Sequence, residues 1–204
     1  MTDQQVTDRR FPAADLVAFI MSAYRAVGLS ADAASNAAQL MAEADLVGAD
    51  AHGIFRLPQY IERIEAGGIN RHPDIAVTRT APATARVDGD NGLGHLVVNR
   101  AAETAIAMAR ETGVAWVGIR GSNHAGAASV YAALPMAAGM IGIYSAVASA
   151  NHMAPWGGTD LFSAPILWSL PCRSAPAILS SSTRRRRSCP TAWSRPTPCR
   201  AARC

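Results

Sequence analysis

Two histidines occupy settings suited to proton transfer. His124 lies in GSNHAG (121–126), just after the apolar run VAWVGI (114–119). Ligands of open α/β sheets bind beyond the carboxyl ends of the strands. A histidine placed there between Gly121 and Gly126 can approach a substrate and exchange a proton near neutral pH. The local sequence suits equally a loop histidine that caps the next helix. His52 lies in ADAHGIFRLPQYIERI, followed at intervals of four by Arg56 and Tyr60. On one helix these three form a polar stripe about two turns long. Pro58 interrupts it, because proline suits a helix's first turn and clashes with the carbonyl four residues back. The stripe therefore requires a helix that kinks or restarts near Leu57. Arg56 can then grip a carboxylate with its forked N–H groups while His52 and Tyr60 hydrogen-bond to it. A plain solvated face is the competing reading.

The glycine-rich segments do not form a familiar nucleotide site. GDNGLGHLVVN and GIRGSNHAG both lack G-x-G-x-x-G in a strand–turn–helix setting, and neither is a P-loop. PWGG (155–158) is either a turn or a place where only glycine lets the backbone approach a ligand.

The elements that must position these residues can be read from periodicity. FPAADLVAFIMSAYRAVGLS carries Leu16, Phe19, Ile20, Tyr24 and Val27 at helical spacing and stops at Gly28. Ser30 caps the following helix, with Asp32 in its first turn. A third helix covers roughly 57–66. Ile75 and Val77 alternate with small or polar residues, and Asp88–Gly94 is rich in turn formers, which predicts two short strands. GHLVVNRAAETAIAMARETG predicts a helix closed near Gly113. VAWVGI predicts a buried strand. A helix to about Ala138 and a second apolar strand in MIGIYSAV (140–147) follow. Helices first and then β-α-β alternation predict an α/β domain with a helical N-terminal part.

Composition divides the chain. Residues 1–171 hold 11 basic and 15 acidic residues, a formal −4, whereas 172–204 hold eight arginines and no acid, a formal +8. Cys172, Cys189, Cys199 and Cys204 all lie in this last segment and form no C-x-x-C pair, which argues against a disulfide framework or a zinc site. MTDQQVTDRR has no secretory pattern, so a cytoplasmic location is expected. SVYAALPMAAGMIGIYSAVASA (129–150) is uncharged but built of Ala, Gly and Ser around Pro135, which favours a buried helix–turn–strand over a membrane span. The four arginines at 184–187 would attract phosphates. With only Trp193 to stack and no nucleic-acid-binding fold motif, a nucleic-acid-binding arm is the alternative reading and the less favoured one.

Several segments together resemble one family: AEADLVGADAHGIFRLPQYIERIEAGGIN, GDNGLGH, the strand–GSNHAG–helix unit, GMIGI and APWGGTDL. In order and separation they are similar to the malate/L-lactate dehydrogenase family of NAD(P)-dependent 2-oxoacid oxidoreductases, which also includes ureidoglycolate and sulfolactate dehydrogenases. The resemblance covers roughly residues 10–163. It implies an α/β fold with a helical N-terminal part and a mixed-sheet, non-Rossmann dinucleotide-binding domain, incomplete at the C-terminus. It implies NAD or NADP as cofactor, a small 2-oxo acid or 2-hydroxy acid as substrate, and a homodimer where the fold is complete. Residue by residue, it implies His124 as the acid/base; His52, Arg56, Tyr60 and Ser149 as substrate contacts; and Ala128 and Ser129 as cofactor contacts. No metal is implied. The family usually has Ser-His-Gly where this chain has Ala51-His52-Gly53, so one hydroxyl contact is missing.

The expected organisation is a helical part over 1–72, a cofactor and substrate domain over 73–163, and an aberrant, disordered tail over 164–204, rich in Arg, Ser, Pro and Cys. The tail's Arg, Pro, Ser, Ala and Cys vocabulary is that of a GC-rich gene read in a wrong frame. We therefore expect a frameshift between Ser163 and Ser180, and with it an impaired enzyme.

Overall fold

The computed structural model describes residues 10–147, 159, 166–174 and 178–184. Two helices open it, α1 (Ala13–Ala26) and α2 (Ala31–Leu46). Ser30 caps α2 as expected: its backbone is extended and its Oγ accepts the Ala33 N–H at 3.2 Å. Ser30→Ala is expected to cost about 1 kcal/mol, the usual worth of such a cap, read from the urea midpoint. Ala34, Ala37 and Ala38 on α2 are fully buried and let α1 come close, so that Ile20 and Tyr24 pack onto Met41. The Tyr24 hydroxyl donates to Met41 Sδ at 2.9 Å, which satisfies the one polar atom of that contact.

Two 3₁₀ turns, Asp50–His52 and Ile54–Arg56, lead into α3 (Leu57–Glu65). Pro58 stands in the first turn of α3, where its missing N–H breaks no helical bond. The helix therefore restarts at Leu57, and His52, Arg56 and Tyr60 belong to three successive short elements. Leu57, Tyr60 and Ile64 bury one face of α3 in the α1–α2 core.

The strands follow. β1 (Ala76–Ala81) and β2 (Thr84–Gly92) are antiparallel, and β2 pairs in parallel with β3 (Trp116–Ser122) across α4 (Gly94–Thr112). α4 closes at Gly113, in the left-handed region at φ 81°. One face of the sheet packs on α4 through Val87, Val97 and Ala101. β3 departs from the buried strand expected of its apolar run: Trp116 is 61% exposed and Ile119 37%. It is the end strand of its sheet, and only one of its faces meets α4. An unbroken apolar run signals burial on both faces, a condition the described residues do not supply.

The chain continues through α5 (Ala128–Ala133), a 3₁₀ turn over Leu134–Ala138, and β4 (Tyr144–Val147). β4 is shorter than MIGIYSAV suggested, and Ile141 and Ile143 are exposed. β4 pairs antiparallel with β5 (Ile166–Ser174), and β5 with β6 (Ile178–Arg184). These two strands lie in what the sequence reading assigned to a disordered tail. The run ILWSL suits a strand, and ladder bonds come from the backbone whatever side chains follow. Residues 185–204 lie outside the described residues. Among the described residues no helix is long and apolar enough to cross a membrane, and no group of His, Cys, Asp or Glu could hold a metal ion.

Candidate active site

Three elements converge at the end of β3. The first is the turn that closes β2. Asp90 and Asn91 adopt left-handed backbone at φ 48° and 54°, a conformation that Asp and Asn tolerate best among side-chain-bearing residues. This aims the carbonyls of Asn91 and Gly92 at the Asn123 amide, whose Nδ2 donates to them at 2.9 and 3.0 Å. The clamp fixes the loop one residue before His124. The second element is the start of α4. A Cβ on Gly94 would overlap the carbonyl oxygens of Asn123 and His124, so glycine is what lets the loop rest on the helix. The third is the 49–60 segment. The Asp45 carboxylate accepts the Ile54 N–H at 2.9 Å and anchors the second 3₁₀ turn. Burial raises the Asp45 pKa, the Ile54 hydrogen bond opposes that, and Asp50 adds to it.

Together these bring His52, Tyr60 and His124 into contact. The Tyr60 hydroxyl and Nδ1 of His124 are 2.6 Å apart, a short hydrogen bond whose donor depends on the tautomer. The rings of His52 and His124 stack with centroids 5.6 Å apart. The Gly126 N–H also points at Nδ1, at 3.4 Å. His124 keeps an edge open to solvent although its ring is packed among these groups. Desolvation first, then His52, Arg56 and Arg63, lowers its pKa to about 4. Tyr60 is 2% exposed, and burial raises its pKa, so it stays a neutral phenol. Its hydroxyl, expected from the sequence to touch substrate, bonds to His124.

Arg56 sits at the rim, half-buried. Its Nε donates to the Ala51 carbonyl and its Nη1 to Gln59 Oε1, each at 2.9 Å. These bonds hold the guanidinium in place and use two of its five N–H donors, leaving a fork for an anion. Ala51, where a serine was expected, thus contributes its backbone carbonyl.

Ala128 and Ser129 open α5 but are buried, at 7% and 6% exposure. α5 has only six residues, and its first turn is covered. The described residues thus bring a guanidinium with unused donors beside a histidine, and do not form a cradle for a dinucleotide's diphosphate. Ser149 and the glycines of APWGG lie outside the described residues.

Sequence reasoning missed His95. It stands in the first turn of α4, 1% exposed, its ring perpendicular to that of Tyr60 with centroids 5.2 Å apart. Desolvation first, then His124, lowers its pKa to about 3. The available signal was a histidine between apolar neighbours in GLGHLVV.

A sequence model of the family described as malate/L-lactate dehydrogenase matches residues 11–183, which extends past residue 163, where the aberrant tail was expected to begin. The malate dehydrogenase of Pyrococcus abyssi is 38% identical over 176 residues, covering 85% of this chain and 48% of the relative. The L-sulfolactate dehydrogenase of Methanocaldococcus jannaschii is 41% identical over 141 residues, 69% of this chain and 41% of the relative. The structure of malate dehydrogenase from Pyrococcus horikoshii superposes with a TM-score of 0.77 at 36% identity, covering 89% of this chain and 53% of that one. The chain spans about half the length of the curated relatives it matches.

Proposed function

This chain belongs to the malate/L-lactate dehydrogenase family, and from that premise we propose that it carries the substrate side of an oxidoreductase centre acting on a small 2-hydroxy acid or 2-oxo acid with NAD or NADP. The observation that carries this reading is the 2.6 Å contact between Tyr60 and His124 beside the anchored guanidinium of Arg56. A 2-oxo acid brings a carboxylate that needs a cation and a carbonyl oxygen that needs a proton. When bound, a nicotinamide would supply or receive the hydride; the described residues form no cradle for its diphosphate.

Arg56 takes the carboxylate, and His52 lines the same side of His124. In the oxidative direction His124 is the base. Its neutral ring receives the hydroxyl proton of the substrate, and Nδ1 stays paired with the Tyr60 oxygen, the donor being set by the tautomer. In the reductive direction the imidazolium gives a proton to the carbonyl oxygen and returns to neutral. Tyr60 stays a phenol throughout because its pKa is raised.

This arrangement sets a pH dependence. In the free protein His124 loses its proton above about pH 4. Reduction needs the protonated ring, so kcat/KM for a 2-oxo acid is expected to fall about tenfold per pH unit above that value. Oxidation needs the neutral ring, so its kcat/KM should stay level with respect to His124 across the neutral range. Initial rates in both directions from pH 5 to 8 check this, and a reductive kcat/KM that stays level over that range would contradict it.

The reading itself is tested by offering the purified chain NADH or NADPH with a panel of 2-oxo acids. Expected are weak turnover with at least one acid, in keeping with the impairment expected of the tail, and, in Arg56→Met, a KM raised about tenfold or more. No turnover with any acid and either cofactor, or an unchanged KM in the variant, would sink it.

A further inference from the structure

We propose that the Gly94-His95 pair is a positioning element for the acid/base couple: Gly94 seats the loop that carries His124, and the His95 ring holds Tyr60 at the angle that places its hydroxyl on His124. The proposal deepens the reading of His124 given above and rests on it.

The two members of the couple are 64 residues apart in sequence. Each belongs to a short or irregular segment, α3 for Tyr60 and the loop after β3 for His124. A hydrogen bond of 2.6 Å between such segments needs something rigid that touches both. The first turn of α4 meets that need. At Gly94 the backbone carbonyls of Asn123 and His124 occupy the space a side chain would take. One residue later, His95 meets the Tyr60 ring edge to face, at 90° and 5.2 Å between centroids. Such contacts have a preferred geometry, so they fix a ring's plane as well as its place.

His95 is suited to hold a neighbour rather than to react. It is 1% exposed, and neither ring nitrogen has a hydrogen-bond partner among the described residues. Its low pKa keeps it uncharged, so it places no cation beneath His124. α4 itself is anchored: Val97, Val98 and Ala101 bury its next turns against the sheet and α5. The helix thereby transmits the rigidity of the core to both halves of the couple.

The test reads His124 directly. In histidine-labelled protein at pH 7, the ring ¹⁵N shifts of His124 report which nitrogen holds the proton and what it bonds to. Tyr60→Phe removes the hydroxyl and gives the reference shift. His95→Leu, which fills the space but lacks a ring, is expected to move the His124 signals in the same direction by a comparable amount. The double variant should move them no further than Tyr60→Phe alone, since both changes remove one interaction. His95→Phe, which keeps the perpendicular ring, is expected to restore the wild-type shifts. Wild-type His124 signals in His95→Leu would overturn the proposal, as would effects of the two single changes that simply add. Should His95→Leu fail to fold, His95→Met serves in its place, and failure of His95→Phe to restore the signals would be equally decisive. Because nothing here depends on turnover, a negative result removes the positioning role and leaves the functional reading to its own assay.

Discussion

Replacing His124 by asparagine is expected to lower kcat about a thousandfold, the middle of the range for losing a general acid/base. The size follows from the site's inventory. Among the described residues at the end of β3, Tyr60 is held neutral by burial and the guanidinium of Arg56 is a donor only. His52 stacks on His124 with ring centroids 5.6 Å apart, and the Tyr60 hydroxyl that would orient a substitute base is bonded to His124. Substrate affinity should change little, because Arg56, the proposed carboxylate partner, is fixed through Ala51 and Gln59 and not through His124. The expected signature is therefore a collapse of kcat with KM roughly preserved, read from initial rates of NAD(P)H oxidation with an acid the wild type accepts. Tyr60→Phe should fall between the two, about tenfold down, since it loses an orienting partner and keeps the reacting ring. A His124→Asn variant within about tenfold of wild type would show that the proton travels by another route.

Gly94→Ala is expected to destabilise the fold by about 3 kcal/mol, at the upper end for overpacking. The new methyl group meets backbone, namely the carbonyls of Asn123 and His124, and no side-chain rotation can relieve that. The loop cannot retreat freely either, because the Asn123 amide ties it to the carbonyls of Asn91 and Gly92. Something must give: the clamp, the first turn of α4, or the place of His124. Urea unfolding measures the first cost, and turnover of the remaining folded fraction measures the second. A loss under about 1 kcal/mol would mean that the loop shifts as a body and that the contact matters less than its closeness implies.

The sequence made the helical part legible for a physical reason. α1, α2 and α4 pack on one face each, so periodicity reports them, and Ser30 and Gly113 mark their ends by backbone chemistry. Pro58 correctly required a restart at Leu57. What periodicity could not convey was the exposure of β3. Trp116 and Ile119 read as core because an apolar run carries no information about how many faces are covered. At the site, His124 and Arg56 were visible as reactive types in suitable loops. Tyr60 was seen, but not the direction of its hydroxyl, which is decided by a residue 64 positions away. His95 was hidden because it works through ring geometry inside a helix, where a lone polar residue among apolar neighbours looks like an exposed position. The disordered tail was inferred from composition, and the strands over Ile166–Ser174 and Ile178–Arg184 are a reminder that backbone ladders tolerate unusual vocabularies.

The contact between Tyr60 and His124 also has a consequence for how the chain acquires its site. Closing a loop of that length costs entropy before any bond repays it, and contacts so distant in sequence form late in folding. During synthesis the segment bearing His52, Arg56 and Tyr60 emerges well before α4 and the loop bearing His124. Until α4 docks, the imidazole is an ordinary solvated histidine with an ordinary proton affinity. A partly folded chain is thus chemically mute, and the depressed titration of His124 is a reporter of the final docking step. Followed in refolding by pH-jump NMR, that titration should appear with the slowest phase and not with the early helical signal.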